Sequence, residues 1–328
     1  MIGAFESTDA ELEERISRSL NLVEQQLLTS VHSEYPFVTE TSRHLVVAGG
    51  KRFRPILTLL AAEFGDPHAP GVIPAAVVVE LTHLATLYHD DVMDEATLRR
   101  GAQSANSRWD NTVAILTGDF LFARASQILA DLGPTAVRIQ AETFERLCTG
   151  QINETVGPQD GQDPVKHHLM VLADKTGSLI ATSGRFGAML AGAEPEVVNT
   201  LTSFGERIGV AFQLADDIVD ITSISDQSGK TPGTDLREGI PTLAALIALS
   251  QADQESARLR EFLSKPLTDD GEHAEALELL RNHSSLSEAR IEARRWADDA
   301  RRALDPLPEI PAKQALSALC DYVVTRTG

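Results

Sequence analysis

The sequence contains little cysteine, few aromatic residues and little positive charge. Its 328 residues include two cysteines, Cys148 and Cys320, which form no motif and are expected to be free thiols in a reducing compartment. Aromatic residues make up 5% of the chain, whereas alanine and leucine are abundant. This composition favours helices over sheets, because aromatic and β-branched residues are the ones enriched in strands.

The shortage of positive charge excludes some classes of partner. The chain has 29 basic and 48 acidic residues, and its net charge of -19 at pH 7 argues against nucleic acid or an anionic membrane as a general partner. Only six lysines are present, and three of them, Lys51, Lys175 and Lys230, fall in motifs described below. In so acidic a chain, this concentration of lysine points to one locally basic pocket.

Long apolar runs and targeting signals are also missing. The longest apolar run, Val72 to Tyr88, is interrupted by Pro74, Glu80 and His83, so it is too short to span a bilayer. The N-terminus has neither the basic region nor the apolar segment of a signal peptide. We therefore expect a soluble, cytoplasmic protein without an integral membrane segment.

Helical periodicity covers most of the sequence. No stretch alternates apolar and polar residues for long enough to form a sheet, and no shift in composition marks a domain boundary. The sequence therefore predicts one all-α domain over residues 1–328. The predicted helices are Ala10–Ser33, a short helix ending at Val47, Phe53–Phe64, Pro74–Asp94, Thr112–Leu132, Thr135–Val156, Val165–Ala191, Glu196–Asp220, Leu243–Leu263, Ala274–Asn282, Ser287–Leu304 and Ala312–Val324. The predicted polar loops include Leu98–Ser107 and Thr222–Gly239.

Two acidic stretches carry the strongest chemical signal. Each has the pattern Asp-Asp-x-x-Asp, over Asp90–Asp94 and Asp216–Asp220, and each ends an apolar helix. The first and last aspartates of each copy share a helical face, where like charges repel. Such a face is unfavourable beside an apolar core unless a cation balances it, and carboxylate oxygens suit Mg²⁺. Neither copy has the glycine and distal glutamate of an EF-hand calcium loop.

Positively charged residues accompany these acidic stretches. The segment Gly49–Pro55 reads Gly-Gly-Lys-Arg-Phe-Arg-Pro and presents Lys51 and Arg54 after a flexible glycine pair, although it lacks the spacing of a P-loop. Further cations lie in Arg99–Gly101, in Lys175–Gly177 and at Lys230. Metal ions on one side and cations on the other suit a diphosphate ligand.

Taken in order, these motifs resemble those of the trans-type polyprenyl diphosphate synthases, which condense isoprenoid diphosphates. The resemblance runs from about Gly49 to Pro241 and includes the Gly-Gly-Lys-Arg-x-Arg-Pro, Asp-Asp-x-x-Asp, Arg-Arg-Gly, Lys-Thr and Phe-Gln motifs. It implies an isoprenoid-synthase-type helical bundle around a central apolar cavity. Within that domain it implies packing or dimer helices in residues 1–48, a catalytic core at about 49–241 and C-terminal helices in 242–328. It also implies a homodimer.

The resemblance assigns a role to each matching residue. The metal-binding carboxylates would hold three Mg²⁺ ions, with Mn²⁺ as the alternative metal, and they are Asp90, Asp91, Asp94, Asp216, Asp217 and Asp220. The residues that would contact the allylic diphosphate are Arg99, Lys175, Thr176, Gln213 and Lys230, and Lys175 is counted as catalytic with the aspartates. The residues that would bind isopentenyl diphosphate are Lys51, Arg54, His83 and Arg100.

The implied reaction is a head-to-tail condensation. The allylic C–O bond breaks as metals and cations stabilise the departing diphosphate, the isopentenyl double bond attacks the carbocation, and a proton is lost. The carbocation needs a water-poor apolar cavity, and Ala75–Leu87 would supply part of its wall. The expected partners are isopentenyl diphosphate and an allylic diphosphate, with a peripheral membrane contact for release of a long product.

Product length is predicted from the residues before the first acidic motif. In the family, bulky side chains four or five positions upstream close the product cavity, and here those positions hold the small Thr86 and Ala85. Thr82 follows one turn further away, Tyr88 lies too near the motif to block the cavity, and Phe144 is a candidate for a deeper floor. We therefore expect a medium-to-long all-trans product, from hexaprenyl to decaprenyl, suited to a quinone side chain such as that of menaquinone.

Two departures from the family pattern and several alternative functions remain. Ile240 stands where a further lysine is frequent. Where the family frequently has Gly-Glu-x-x-Gln, Gly150–Glu154 reads Gly-Gln-Ile-Asn-Glu, with Gln151 in place of glutamate. The alternative enzymes are a geranylgeranyl diphosphate synthase and a class I terpene cyclase, although a cyclase does not need the basic site at Lys51. A non-catalytic subunit of a two-protein synthase would have lost acidic residues, and all six aspartates are present.

Overall fold

The computed structural model describes residues 9–223, 232–251, 256–263 and 265–325, and these residues are predominantly helical. Its helices are α1 (Ala10–Ser30), α2 (Pro36–Val47), α3 (Phe53–Ala62), α4 (Val72–Met93), α5 (Ala105–Arg108), α6 (Asn111–Leu132), α7 (Pro134–Val156), α8 (Pro164–Leu172), α9 (Ser178–Leu190), α10 (Pro195–Thr222), α11 (Thr234–Glu238), α12 (Leu243–Ser250), α13 (Ser256–Leu263), α14 (Asp270–Asn282), α15 (Ser284–Ala303) and α16 (Pro311–Thr325). The all-α fold predicted from the sequence is confirmed. One candidate site residue, Lys230, lies outside the described residues.

Several helices begin at aspartates that act as N-caps. The Asp9 carboxylate accepts the backbone N–H of Leu12 at 2.8 Å, and the Asp110 carboxylate accepts that of Val113 at the same distance. Asp163 caps α8 in the same way. These carboxylates satisfy N–H groups that have no partner within their own helix, so short polar residues fix where the helices start.

The described residues contain one small hairpin, which corrects the prediction of a loop without strands over Leu98–Ser107. Strand β1 (Leu98–Arg99) pairs antiparallel with β2 (Ala102–Gln103). The turn between them holds Arg100 at φ +54° and Gly101 at φ +76°, the left-handed conformations that tight hairpins need. Two-residue strands are too short for alternation to appear in the sequence, and the short helix α5 follows them.

The chain divides into two compact units that each contain several separate segments. The first unit contains the chain up to Phe144 together with Leu179–Gly205 and Ala303–Ala318. The second contains Glu145–Ser178, Glu206–Arg302 and the chain from Leu319 onward. The single-domain organisation expected from the sequence stays a prediction.

Helix α4 is the centre of the first unit. Its residues from Ala75 to Leu81 are almost completely buried, and α4 packs against α1, α3 and α6. The contact with α6 is close at Gly118, where a Cβ would lie 3.1 Å from the carbonyl oxygen of Ala85 and nearer still to the His89 ring. Glycine at this position therefore lets the two helices approach each other.

The second unit has its own apolar core, formed by the C-terminal half of α10 and the helices that follow it. Val210, Leu214 and Ile221 of α10 pack in one cluster with Phe262 and Leu280, which are 1% and 0% exposed. Asp217 follows Leu214 by three residues and precedes Ile221 by four, so it shares this buried face of α10.

The predicted continuous helix Val165–Ala191 is interrupted, and this prediction was wrong in detail. A π-helical segment, Ala173–Gly177, separates α8 from α9. The backbone of α7 approaches it closely, since a Cβ on Gly150 would lie 2.7 Å from the backbone nitrogen of Lys175. π-Helical turns insert one extra residue and are frequent at functional sites. The predicted helix Leu243–Leu263 likewise consists of α12 and α13.

Two helices, Val72–Met93 and Asn111–Leu132, are long and apolar enough to cross a membrane by length and composition. The most apolar window of the first is 67% buried in the protein and that of the second is 33% buried. Core helices of soluble proteins pass the same test, so the finding is weak evidence for a membrane span. The expected absence of an integral membrane segment stays a prediction.

Candidate active site

The first acidic motif lies at the C-terminal end of α4. Asp94 caps the helix, and its backbone N–H bonds to the carbonyl of Asp90 at 2.8 Å. The side chain of Asp90 is half-buried and Asp94 is exposed, whereas Asp91 is completely buried. The outer aspartates of the motif therefore face outward together, as their spacing predicted, and the central aspartate points into the protein.

Asp91 holds the loop that follows the motif. Its Oδ1 accepts a hydrogen bond from Arg99 Nε at 2.6 Å, and its backbone carbonyl accepts one from Asn106 Nδ2 at 3.0 Å. Its Oδ2 is buried without a hydrogen-bond partner. Burial raises the pKa of this carboxyl above its usual range, although the Arg99 guanidinium opposes the shift. The structure thus pairs two predicted site residues with each other.

The basic segment before α3 is built around Arg52, a residue to which the sequence assigned no role. Arg52 has φ +49° and is 6% exposed, and its Nη1 donates to Glu80 Oε1 at 2.8 Å. Its Nη2 donates to a carboxylate oxygen of Glu24 at 3.1 Å. With Arg52 fixed in this way, Lys51 on one side is exposed and Arg54 on the other is half-buried.

Arg100 lies against the same glycine turn. Its guanidinium donates to the carbonyls of Gly49 and Leu45, and a Cβ on Gly50 would lie only 2.9 Å from its Cζ. Gly50 also has φ +148°, so both space and backbone conformation favour glycine there. Arg100 thus supports the turn that presents Lys51.

His83 is close to this group of cations. The pKa of His83 is lowered well below its usual value, first because the ring is buried and then because Arg54 and Arg100 repel a second positive charge. The imidazole is therefore neutral and can donate one N–H to an anionic ligand. Three of the four residues predicted to bind isopentenyl diphosphate influence one another electrostatically.

The second acidic motif lies at the end of α10, where Asp217 is the buried member. Gln213 Nε2 donates to Asp217 Oδ1 at 3.1 Å, and Gln213 Oε1 accepts the Thr176 hydroxyl at 3.2 Å. The pKa of Asp217 is raised to about 7, first by burial and then by the neighbouring Asp216 and Asp220, against the hydrogen bond from Gln213. Three predicted residues, Thr176, Gln213 and Asp217, are therefore linked by hydrogen bonds.

Asp216 and Asp220 are both half-buried, in contrast to the buried Asp217. The carboxylate of Asp220 accepts backbone N–H groups of Thr234 at 3.2 Å and of Asp235 at 3.3 Å, at the start of α11. The carbonyl of Asp220 accepts the N–H of Gly233 at 2.9 Å. The last aspartate of the motif thus orients the chain that follows, a role that its spacing did not predict.

Lys175 projects from the π-helical segment and forms an ion pair with Glu154. The Lys175 Nζ and Glu154 Oε2 are 2.5 Å apart, and Gln151 Nε2 donates to the same Glu154 oxygen at 3.2 Å. Glu154 and Gln151 occupy the stretch of α7 that departs from the family pattern. The carboxylate of Glu154 in this stretch has the Lys175 ammonium as its partner.

A cavity of about 400 Å³ lies in the first unit among α4, α6 and α7. Its lining residues are His89, Asp119, Phe122, Ala125, Ser126, Leu129, Val137, Gln140, Ala141 and Phe144. The rings of Phe122 and Phe144 are 4.4 Å apart between centroids, and His89 Nε2 is 3.4 Å from a carboxylate oxygen of Asp119. The cavity is therefore mostly apolar, with a polar pair beside the first acidic motif.

The predicted chain-length residues lie beside this cavity rather than in its lining. Ala85 is fully buried in the apolar core where α4 meets α6, and Thr86 is half-buried. Thr82 is buried and accepts a hydrogen bond from Gln140 Nε2 at 2.8 Å. Phe144, predicted as a deeper floor, is a lining residue, and so is Phe122, which no sequence pattern indicated.

The two acidic motifs have the donor chemistry of a magnesium site. Across the described residues, no group of three or more His, Cys, Asp or Glu side chains is already gathered around one point. Each motif nevertheless offers carboxylate oxygens on one helical face, and repulsion from Asp216 and Asp220 adds to burial, the larger cause, in raising the pKa of Asp217. A hard divalent cation would relieve that repulsion, so the residues fit Mg²⁺.

Comparison with known proteins finds similar sequences over the whole chain. Residues 35–280 match the family model described as polyprenyl synthetase. The chain is 47% identical to a nonaprenyl diphosphate synthase from Mycobacterium tuberculosis, over 100% of this chain and 98% of that protein.

Two solved structures are similar to this fold. One is a geranylgeranyl pyrophosphate synthase from Corynebacterium glutamicum, complexed with calcium and isoprenyl diphosphate, with 49% identity and a TM-score of 0.88 over 98% of this chain and 99% of that chain. The other is a decaprenyl diphosphate synthase from Rhodobacter capsulatus, with 35% identity and a TM-score of 0.88 over 97% of this chain and 99% of that chain.

Proposed function

Because this chain belongs to the polyprenyl synthetase family, we propose that it condenses isopentenyl diphosphate head to tail with an allylic diphosphate such as farnesyl or geranylgeranyl diphosphate. The product is an all-trans polyprenyl diphosphate. This proposal rests on an arrangement of aspartates that the two acidic motifs share. In each, a buried central aspartate is held by protein side chains, while the outer aspartates are more accessible.

We assign metal binding to these motifs, with three Mg²⁺ ions as the expected complement and Mn²⁺ as the alternative. The outer aspartates are the direct ligands, and the central Asp91 and Asp217 hold Arg99 and Gln213 in place. A relative of known structure contains calcium and an isoprenyl diphosphate, which supports a divalent metal. When bound, Mg²⁺ supplies positive charge that stabilises the departing diphosphate.

The remaining side chains bind and orient the two substrates. Lys175, Thr176, Gln213 and Arg99, together with Lys230, contact the allylic diphosphate, and Lys51, Arg54, His83 and Arg100 bind isopentenyl diphosphate. Arginines form paired hydrogen bonds to phosphate oxygens, and the neutral His83 donates a single N–H. The apolar body of α4 excludes water, which would otherwise capture the allylic carbocation.

We propose a medium-to-long product, from hexaprenyl to decaprenyl, because the cavity beside the first acidic motif is long. Its lining runs along α6 from Asp119 to Leu129, which lie ten positions apart and are hence separated by roughly 15 Å of helix. The relatives include both a nonaprenyl and a geranylgeranyl enzyme, so a shorter geranylgeranyl product is the second candidate. A quinone side chain, such as that of menaquinone, is the use that fits the longer product.

Replacing Phe144 by leucine should lengthen the product by at least one isoprene unit. The rings of Phe122 and Phe144 contact each other at a tilt of 57° and line the cavity, so removing one ring opens space for the growing chain. Product length is measured by reversed-phase chromatography and mass spectrometry. Phe204→Leu is the matched control, because Phe204 is fully buried outside the cavity lining. An unchanged product in Phe144→Leu would show that these rings do not limit elongation.

A bulky side chain at position 86 tests whether α4 also limits product length. Thr86→Phe should shorten the product, since Thr86 lies one turn before Asp90 on the same face of α4. Ala85, the other small residue before the motif, is fully buried in the contact between α4 and α6. A phenylalanine there would overpack the helix contact, which typically costs about 1–3 kcal/mol.

We further propose a homodimer in the cytoplasm, with only peripheral membrane contact during product release. Ile115 and Leu116 on α6 are 42% and 61% exposed, an apolar pair that a second copy of the chain would cover. Leu116→Asp should therefore raise the dissociation constant of the dimer by about tenfold or more. Sedimentation velocity measures this, and a monomeric wild-type protein would refute the dimer.

Incubation of the purified protein with Mg²⁺, isopentenyl diphosphate and either farnesyl or geranylgeranyl diphosphate tests the proposed function. Elongated linear products support it, and a product limit at the geranylgeranyl stage supports the second candidate. Cyclic hydrocarbons formed from an allylic diphosphate alone would instead identify a terpene cyclase.

A further inference from the structure

The Lys175 ammonium already has an anionic partner within its own unit. Its Nζ lies 2.5 Å from Glu154 Oε2, and the two side chains are 31% and 22% exposed. An ion pair of this kind is stronger than a fully exposed one, because less water screens it. Any diphosphate that binds Lys175 must therefore share or replace the carboxylate of Glu154.

Glu154 is the last of three residues on one face of α7 that contact the π-helical segment. Arg146, Gly150 and Glu154 recur every four residues. Arg146 donates to Asp174 Oδ1 at 2.8 Å, and Gly150 allows the backbone of Lys175 to approach. Arg146 thus holds Asp174 beside Lys175, Gly150 lets the two backbones approach, and Glu154 contacts the Lys175 ammonium.

Glu154 also lies near the second acidic motif. Glu154 and His168 line one small cleft, and His168 Nε2 is 3.7 Å from Asp217 Oδ2. The cleft therefore places a further carboxylate close to a motif that already carries three. For an incoming diphosphate, Glu154 both occupies Lys175 and adds repulsion.

We propose that Glu154 is a positioning residue that holds the Lys175 ammonium in the free enzyme and competes for it with the diphosphate. The inference rests on the proposed function, in which Lys175 binds the allylic diphosphate. The competition weakens binding of the allylic substrate and of the released inorganic diphosphate alike. The competition raises the rate of turnover, because the released diphosphate dissociates more readily when Glu154 re-forms its ion pair with the Lys175 ammonium.

Glu154→Gln should raise the affinity for inorganic diphosphate by about three- to tenfold, the range expected when a partly buried ion pair no longer competes. Calorimetric titration with inorganic diphosphate in Mg²⁺ measures this. In the condensation assay, the KM for farnesyl diphosphate should fall, and kcat should not rise. Glutamine has the size of glutamate, so the shape of the site is retained.

Glu206→Gln is the matched control, because Glu206 pairs with Arg146 in the same unit rather than with Lys175. It should change the affinity for diphosphate by less than about twofold. In a Lys175→Gln background, Glu154→Gln should also have less than about a twofold effect, because the competition is gone.

Unchanged or weaker diphosphate binding in Glu154→Gln would overturn the proposal, and so would an equal gain in Glu206→Gln. A wild-type protein that binds diphosphate but does not elongate farnesyl diphosphate would instead overturn the proposed function.

Discussion

Replacing Asp90 or Asp216 by asparagine should lower the rate of condensation by about 10²- to 10³-fold, the range typical for losing one preorganised group that stabilises transition-state charge. Both side chains are half-buried, so each can reach a cation outside the helix without a large change in the protein. Asparagine keeps the size of the side chain but removes the negative charge that a divalent metal needs. Steady-state kinetics at saturating substrates measures the rate.

The stability of the folded protein should be little affected by Asp90→Asn or Asp216→Asn. The free energy of unfolding, measured in urea without metal, should stay within about 0.5 kcal/mol of wild type or rise, because like charges on one face are relieved. Asp91→Asn is the contrasting variant. Asp91 is completely buried and accepts from Arg99 at 2.6 Å, so its replacement should cost roughly 1–3 kcal/mol of stability. Full activity in Asp90→Asn and Asp216→Asn would refute the metal assignment.

The second large effect is expected at the buried ion pair between Arg52 and Glu80. Glu80→Ala should lower the free energy of unfolding by about 3–5 kcal/mol, because it removes the buried partner of the Arg52 guanidinium and leaves only the more exposed Glu24 carboxylate. The side chains of Arg52 and Glu80 are 5% and 2% exposed, so water cannot replace the lost interaction. Urea unfolding followed by circular dichroism measures the change.

The same variant should also affect substrate binding. Lys51 and Arg54 flank Arg52, whose left-handed backbone is held by Glu24 and Glu80. Loss of that support should raise the KM for isopentenyl diphosphate more than the KM for the allylic substrate. Arg301→Gln is a control, since Arg301 pairs with the exposed Asp321 and should change stability by no more than about 0.5 kcal/mol. Equal stability of Glu80→Ala and Arg301→Gln would contradict this account.

The helices and the acidic motifs were predictable because each depends on local patterns. The predicted helix Pro74–Asp94 became α4, Val72–Met93, and the predicted Glu196–Asp220 became α10, Pro195–Thr222. Asp90 and Asp94 share a face because helical spacing fixes it. The π-helical segment at Lys175 was missed, since it depends on the close approach of α7 at Gly150, a contact distant in sequence.

The supporting residues of the site could not be predicted for a related reason. Arg52 and Glu80 are 28 residues apart, as are Arg146 and Asp174, and only the folded chain brings each pair together. Nothing in the sequence distinguished the buried Arg52 from the exposed Lys51 beside it. The motif residues were identified by a family resemblance, whereas their partners required the structure.

The cavity shows the limit of reasoning along a single helix. Small residues at positions 85 and 86 suggested an open path, but Ala85 is buried against α6 and the space lies beside Phe122 and Phe144. Side chains from three helices define its shape. We therefore expect product length to depend on the packing of three helices, which a spacing rule on α4 alone does not capture.

Rapid chemical quench with labelled isopentenyl diphosphate and farnesyl diphosphate tests the central claim most directly. With Mg²⁺, the account predicts a ladder of linear all-trans products that grow by five carbons at a time beyond the geranylgeranyl stage, and no incorporation when the metal is chelated. Absence of label from every prenyl product in the presence of Mg²⁺ would contradict it.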